Sequence, residues 1–482
     1  MHTETKMYRQ PRLFIVVSVA IFLLVSLALA GATPSRAHPG QPSHTEAGGF
    51  PGRLTRGMAA ELLASPQSVS KNVNVIGHAD PGGGFNADVV AHRNHAYLGS
   101  WGAFEDETVD FCPSQGVRVF SLHDPSNPTW VSTFADEVSE PDLQGTWTEK
   151  VIVKHVNTQW FNGDLAAVSI QNCADGAFRG FGMWDVSDPA DPQRLALYSA
   201  PNTGGSHEIW LEKKGNKAYV YTAIPFSEFD TSPDGGLTPG QADFRIVDVS
   251  NPANPTDIGE WGAWAKLGVF PFFLDANGVF RVNFVHSVRG EGTTAYLSYW
   301  DLGTVILDVS DPTDPAFIGR TTYAANEEGN AHSSWTAMGG NLLIQADEDF
   351  DPAPDPALET SWGYPRFFDI SDPANPVQLS TFKLPTTSQF PPPLGFFSVH
   401  DPRVRGSRAY LSWYSEGVAV VDISQPGNPQ LLAQFVPEPA ADPRGFFGPP
   451  DVKFPFVWGT FVDRSYVLAS DINSGLWVFQ VR

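Results

Sequence analysis

Short runs of alternating apolar and polar residues, about five residues each, fill the chain from residue 72 onward, and each ends at Gly, Pro, Asn or Asp. One stretch shows the grammar. "SVHDPRV" leads to the tight turn "RGSR", then "AYLSWY", "EGVAVVDIS", the turn "QPGNP" and "QLLAQFV". These are four strands rich in β-branched and aromatic residues, with a turn signal between each pair. An upstream stretch repeats the pattern as "FVHSVRG", "TAYLSYW", "GTVILDVS" and "PAFIGRT". The alternation therefore predicts antiparallel four-stranded units, not helices.

The turn between third and fourth strands recurs almost verbatim. Its copies are "VFSLHDPSNP" from Val119, "MWDVSDPADP" from Met183, "IVDVSNPANP" from Ile246, "ILDVSDPTDP" from Ile306, "FFDISDPANP" from Phe367 and "VVDISQPGNP" from Val420. The first proline of each, from Pro125 to Pro426, returns about every 60 residues. In such a decapeptide Asp369 and Ser371 bond nearby backbone, Pro373 fixes φ, and Pro376 withholds a donor at the next strand. The aspartates read as turn formers, not catalysts.

Four-stranded units at this period predict an all-β fold, a seven-bladed β-propeller. The last unit stops after its third strand, "GLWVFQVR" from Gly475. The strand "NVNVIGHA" from Asn72 can supply the missing fourth and close the ring without exposed edges. The expected domain spans 72–482, and such a closed ring reads as a monomer. The strand sequence "VILDVSDP" at Val305–Pro312 and its copies resemble the LVIVD-repeat family. That resemblance implies a propeller-like fold and a secreted or cell-surface setting. It carries no catalytic residues across.

Composition fits this picture. Of 482 residues, 42% are apolar and 12% aromatic, with 44 Gly and 41 Pro, enough for many short strands and turns. The formal net charge is −23, which disfavours nucleic acid and anionic lipid as partners and suits solubility outside the cell. A basic start with Lys6, Arg9 and Arg12 precedes an uncharged apolar run, Leu13 to Ala30. This reads as a secretory signal over 1–30, with cleavage after Ala30 or as late as Ala37. An uncleaved anchor is the alternative, and only then does the chain meet a membrane. Residues 31–71 read as a flexible leader.

Loop lengths distinguish the two faces. Turns after first and third strands are short, such as "KKGN" and "RGSR". All long insertions fall after second and fourth strands, including those from Ala223, Trp264, Pro385 and Pro437. Long loops on a rigid scaffold usually carry function, so this face is expected to bind an extracellular ligand or protein. Asp88, Glu208 and Asp401 at strand starts are candidate contacts there, with Phe396, Phe397, Phe446 and Phe447 as pocket walls or as a channel plug.

Counting back from the second strand places a histidine near the start of each innermost strand in blades two to six. These are His155, His207, His286, His332 and His400. Two readings stand. Converging imidazoles can ligate Zn, Cu or Fe and support a metal-dependent hydrolase or oxidoreductase. A repeated histidine can instead bond a neighbouring blade and ligate nothing. The acidic run "DEDFDPAPDPALE" from Asp347 is a weak Ca candidate, since it lacks a fixed ligand register. Cys112 and Cys173 occupy equivalent loops of neighbouring blades and are expected to form a disulfide. Arg118, Arg245 and Arg366 recur on third strands and are expected to pair with carboxylates between blades. No G-x-S-x-G, H-E-x-x-H or P-loop is present.

Overall fold

The computed structural model of the chain describes residues 69–102, 112, 114–202, 204–276, 278–324, 326–327, 329–350 and 361–482. The expected signal segment, most of the expected leader and the acidic run after Phe350 lie outside the described residues. Among the described residues no helix is long and apolar enough to cross a membrane.

Seven antiparallel sheets follow one another along the chain, each of four strands except that of blade two, where the short strand Thr146–Trp147 also pairs with the second strand. Their first strands are Asn86–His92, Val151–Asn157, Ile209–Lys214, Ser287–Glu291, Ala331–Ala337, Pro402–Arg405 and Val457–Asp463. Each first strand packs against the first strands of the blades before and after it, and the seventh packs against the first, so the ring is closed. In blade seven, Val73–Ala79 pairs antiparallel with Gly475–Val481, from Val73 opposite Val481 to Ala79 opposite Leu476. The head of the domain thus finishes the sheet begun by its tail, and Gly475–Val481 is paired on both sides.

The repeated decapeptide has two tasks in the fold. Locally, each aspartate caps its own turn: the backbone N–H of Ser250, Ser310, Ser371 and Ser424 donates to Asp248, Asp308, Asp369 and Asp422 at 2.8–2.9 Å. Between blades, the first proline's carbonyl abuts the fourth strand of the preceding blade. Ser132 and Ser380 donate to the carbonyls of Pro189 and Pro426 at 2.6 and 2.5 Å. At Gly259 and Gly319 a Cβ would come within 2.1 and 2.3 Å of the carbonyls of Pro312 and Pro373. At these two glycines the close approach leaves no room for a side chain.

The cysteines form the expected disulfide, Cys112–Cys173, with Cα atoms 5.6 Å apart. The third-strand arginines depart from expectation. Arg245 pairs with Asp257 and Glu260 on its own blade's fourth strand. Arg366 pairs with Asp347 of its own blade and with Glu327 of the connection before it. Arg118 donates to Gln115 and to the carbonyl of Gly99. The antiparallel register puts these side chains beside their own neighbouring strands, so the pairs form mostly within blades.

Candidate metal centre in the propeller channel

Two layers of side chains ring the channel where the innermost strands begin. Backbone bonding sets the equivalence between blades. The N–H groups of Lys150, Asp401 and Gly459 donate to the hydroxyls of Ser169, Ser412 and Ser470 on their second strands. One residue earlier stand Glu149, His400 and Trp458. His207 and His286 hold the same place, bonded through their N–H to the carbonyls of Ala223 and Ser298. In blades five and seven the register shifts at His332 and at Trp458. A bulge at that point turns one side chain inward. The outer layer thus contains Glu149, His207, His286, His332, His400 and Trp458.

Four of these imidazoles stand in a row. Ring centroids are 4.3 Å apart for His207–His286, 3.9 Å for His286–His332 and 4.2 Å for His332–His400. All four are buried. Burial pushes His207 and His400 down to about 3, and His286 and His332 well below their ordinary value. The rings are therefore neutral at physiological pH, the form that ligates metals.

Hydrogen bonds fix which nitrogen carries the proton. The indole N–H of Trp147 can only donate, and it donates to Gln171 Oε1 at 2.7 Å, which marks that atom as the amide oxygen. His207 Nδ1 lies 2.7 Å from the same oxygen, so Nδ1 bears its proton. His286 Nδ1 donates to the carbonyl of His332 at 3.1 Å, and His400 Nδ1 to the carbonyl of Trp458 at 2.6 Å. A neutral imidazole has one N–H, so Nε2 of all three is a bare lone pair. Yet His207 Nε2 and His286 Nε2 face each other at 2.8 Å. Two lone pairs at that distance repel unless a cation lies beside them. His400 Nε2, His332 Nδ1 and Glu348 Oε2 have no hydrogen-bond partner among the described residues. Ligand atoms of His286, His332 and Glu348 fall within 4.8 Å of one another.

Carboxylates flank the row. Glu149 accepts from Trp458 Nε1 at 2.9 Å and approaches His207 Nδ1 at 3.5 Å. Glu348 accepts from the Tyr414 hydroxyl and lies 3.7 Å from His332 Nε2. Burial raises Glu149 to about 8 and Glu348 well above its ordinary value. Two aromatic rings cap the row from left-handed backbone. Trp300, at φ 44°, lies 5.5 Å from His286, and Tyr414, at φ 34°, lies 5.2 Å from His400. Bulky residues rarely adopt that conformation, and its cost is tolerated where surrounding structure enforces it, often at functional sites.

The inner layer is an ion cluster. Lys150 Nζ lies 3.0 Å from Asp88, 3.0 Å from Glu208 and 3.2 Å from Asp401. Arg403 pairs with Asp401 and, at 3.5 Å, with Asp88. All five side chains are buried. Burial pushes Glu208 up to about 7 against the pull of Lys150. Burial also opposes the charged form of Asp401, but Arg403 and Lys150 hold it below its ordinary value.

The sequence-predicted residues separate into groups. His207, His286, His332 and His400 converge. Asp88, Glu208 and Asp401 meet on Lys150 in the layer beneath. His155 does not join them, which corrects the count from the second strand. It sits late in Val151–Asn157 with 45% of its side chain exposed, its Nδ1 2.9 Å from Asp164. Blade two's second strand runs 11 residues, Asn162–Asn172, so the count falls short of the channel and Glu149 holds the histidine's place. Phe396, Phe397, Phe446 and Phe447 are buried in one aromatic cluster with Trp101, Trp147, Tyr414, Phe456 and Trp458. They pack on one another and on the other rings of that cluster. Sequence reasoning missed Glu149, Lys150, Gln171, Arg403 and Tyr414, and took Glu348 only as part of the acidic run from Asp347. The dipeptide Glu149-Lys150 before "VIVKHV" was the available signal, since it matches His207-Glu208 before "IWLEKK".

Residues 240–261, 286–322 and 399–436 match the LVIVD repeat. These three segments carry LVIVD repeats. The matched segments hold third and fourth strands of blade three, blade four from His286, and blade six with His400. No curated protein matches this chain. Among solved structures, the computationally designed Ika8 protein is similar over 84% of this chain and 99% of its own, at 7% identity and TM-score 0.46. Saccharomyces cerevisiae Sqt1 is similar over 85% of this chain and 100% of its own, at 10% identity and TM-score 0.48.

Proposed function

We propose that this LVIVD-repeat propeller is a metal-dependent enzyme whose channel holds a divalent transition-metal ion on His207, His286, His332 and His400. One observation carries the reading: protonated Nδ1 atoms of three neutral histidines leave bare Nε2 atoms, two of them 2.8 Å apart. Imidazole sets of this kind suit Zn, Cu or Fe, not Ca. Gln171 and the carbonyls of His332 and Trp458 orient the rings, as outer-sphere acceptors do around metal-bound histidines. The carboxyls of Glu149 and Glu348, raised by burial, supply negative charge once a dication lowers them. Such an ion supplies Lewis-acid chemistry if zinc and redox chemistry if iron or copper.

The purely structural reading accounts for the Nδ1 bonds of His286 and His400, which cross to the next blade, but not for their Nε2 atoms. The disulfide supports an oxidising setting, in keeping with export. A surface-contact role for the long-loop face is supported by the exposed hairpin between blades three and four. Elemental analysis of purified protein tests the metal reading. About one transition-metal ion per chain is expected, lost in His286→Ala/His332→Ala. Protein that takes up no stoichiometric Zn, Cu or Fe on reconstitution, or a double variant that keeps its ion, would overturn it.

A further inference from the structure

The connection between blades three and four carries a short helix, Ala263–Leu267, and a hairpin of Phe272–Leu274 with Phe280–Val282. Five large apolar residues of this insertion stand exposed: Leu267 38%, Phe270 37%, Phe273 41%, Leu274 53% and Phe280 44%. Other exposed large apolar residues on the described surface are scattered singly or in pairs along the chain. A concentrated apolar protrusion marks an interaction site. Its charges also differ from the rest of the chain. Between Ala263 and Val282 the ionisable residues are Lys266, Asp275 and Arg281, and the last two pair at 3.1 Å. The insertion is thus near neutral and slightly basic, on a chain of net charge −23. Its inner side leads to the channel. Phe272 stacks on Phe226 at 5.4 Å, Phe226 meets Phe284 at 4.4 Å, and Phe284 stacks on Trp300 at 5.0 Å, which lies over His286.

We propose that this insertion seats the protein on a neutral lipid surface, with Phe273 and Leu274 entering the headgroup boundary. Exposed apolar side chains beside a paired Asp275 and Arg281 suit zwitterionic headgroups, which do not repel the acidic remainder as anionic lipid would. The aromatic column then places the lipid phase in line with the channel. Lipid contact does not depend on the metal reading, because its test needs no metal. The full chain carrying Leu274→Cys is labelled with a nitrobenzoxadiazole dye and mixed with phosphatidylcholine vesicles containing doxyl-lipid quencher. The same label at Leu379→Cys, an exposed position on blade five's fourth strand, is the reference. The local readout is independent of any contact made by the leader. Insertion to about 5–10 Å predicts quenching at 274 at least about three times that at 379. Adding Phe273→Ser should at least halve it. Equal quenching at the two positions, or none at 274, overturns the proposal.

Discussion

Lys150 offers the sharpest test of the channel's inner layer. Replacing it with Met keeps most of the aliphatic volume and removes the cation that three buried carboxylates share at 3.0–3.2 Å. Removing one partner of a buried ion network costs about 3–5 kcal/mol, because the remaining charges stay desolvated. Arg403 still faces Asp401 and Asp88, so a value near 4 kcal/mol is reasonable. An unfolding entropy of about 2.1 cal/mol/K per residue over roughly 400 residues turns this into a Tm loss of about 5 °C. The loss should depend on pH with a definite sign. Glu208 already stands at about 7 against an ordinary 4.5, and without Lys150 it rises further. A carboxyl raised on folding contributes stability that is complete below its unfolded value and is lost as pH climbs through its folded value. The penalty of K150M should therefore be full at pH 8 and less than half as large at pH 5. Calorimetry of parent and variant at both pH values measures it. A Tm loss below about 1 °C at pH 8, or the same loss at both, would refute the buried-network argument.

Other consequences are equally measurable. Cys112→Ser/Cys173→Ser opens a link between residues 61 apart, so a chain-entropy estimate gives a loss of about 4 kcal/mol in denaturant unfolding. Deleting Val73–Ala79 bares the edge of Gly475–Val481, and sedimentation should then show association or loss of the folded ring. His155→Ala should leave metal content unchanged and cost under about 1 kcal/mol, since its ring is half exposed; a loss of metal would return His155 to the centre.

The fold was legible because its signals are local. A turn such as "DVSDP" bonds within itself, so its repetition could be counted without knowing what packs against it. Strand alternation and the orphan strands at either end were enough to give the blades and the closure. The glycines and serines that receive the proline carbonyls had no visible partner in sequence, although they are part of the same repeat. Four of five histidines were also found by their offset from a strand. The offset failed in blade two, whose longer first hairpin displaced the count onto His155 and hid Glu149.

By itself the sequence determined the blade repeat, the closing strand, the disulfide and the approximate height of the histidines in each blade, since these follow from turn chemistry and period two. Only tertiary structure decided which nitrogen of each ring carries a proton, that Lys150 gathers Asp88, Glu208 and Asp401, and that the loop phenylalanines pack on one another. Those outcomes depend on atoms from different blades meeting at the axis. No local pattern encodes such meetings, because each blade contributes one or two residues and the ring alone sets their distances.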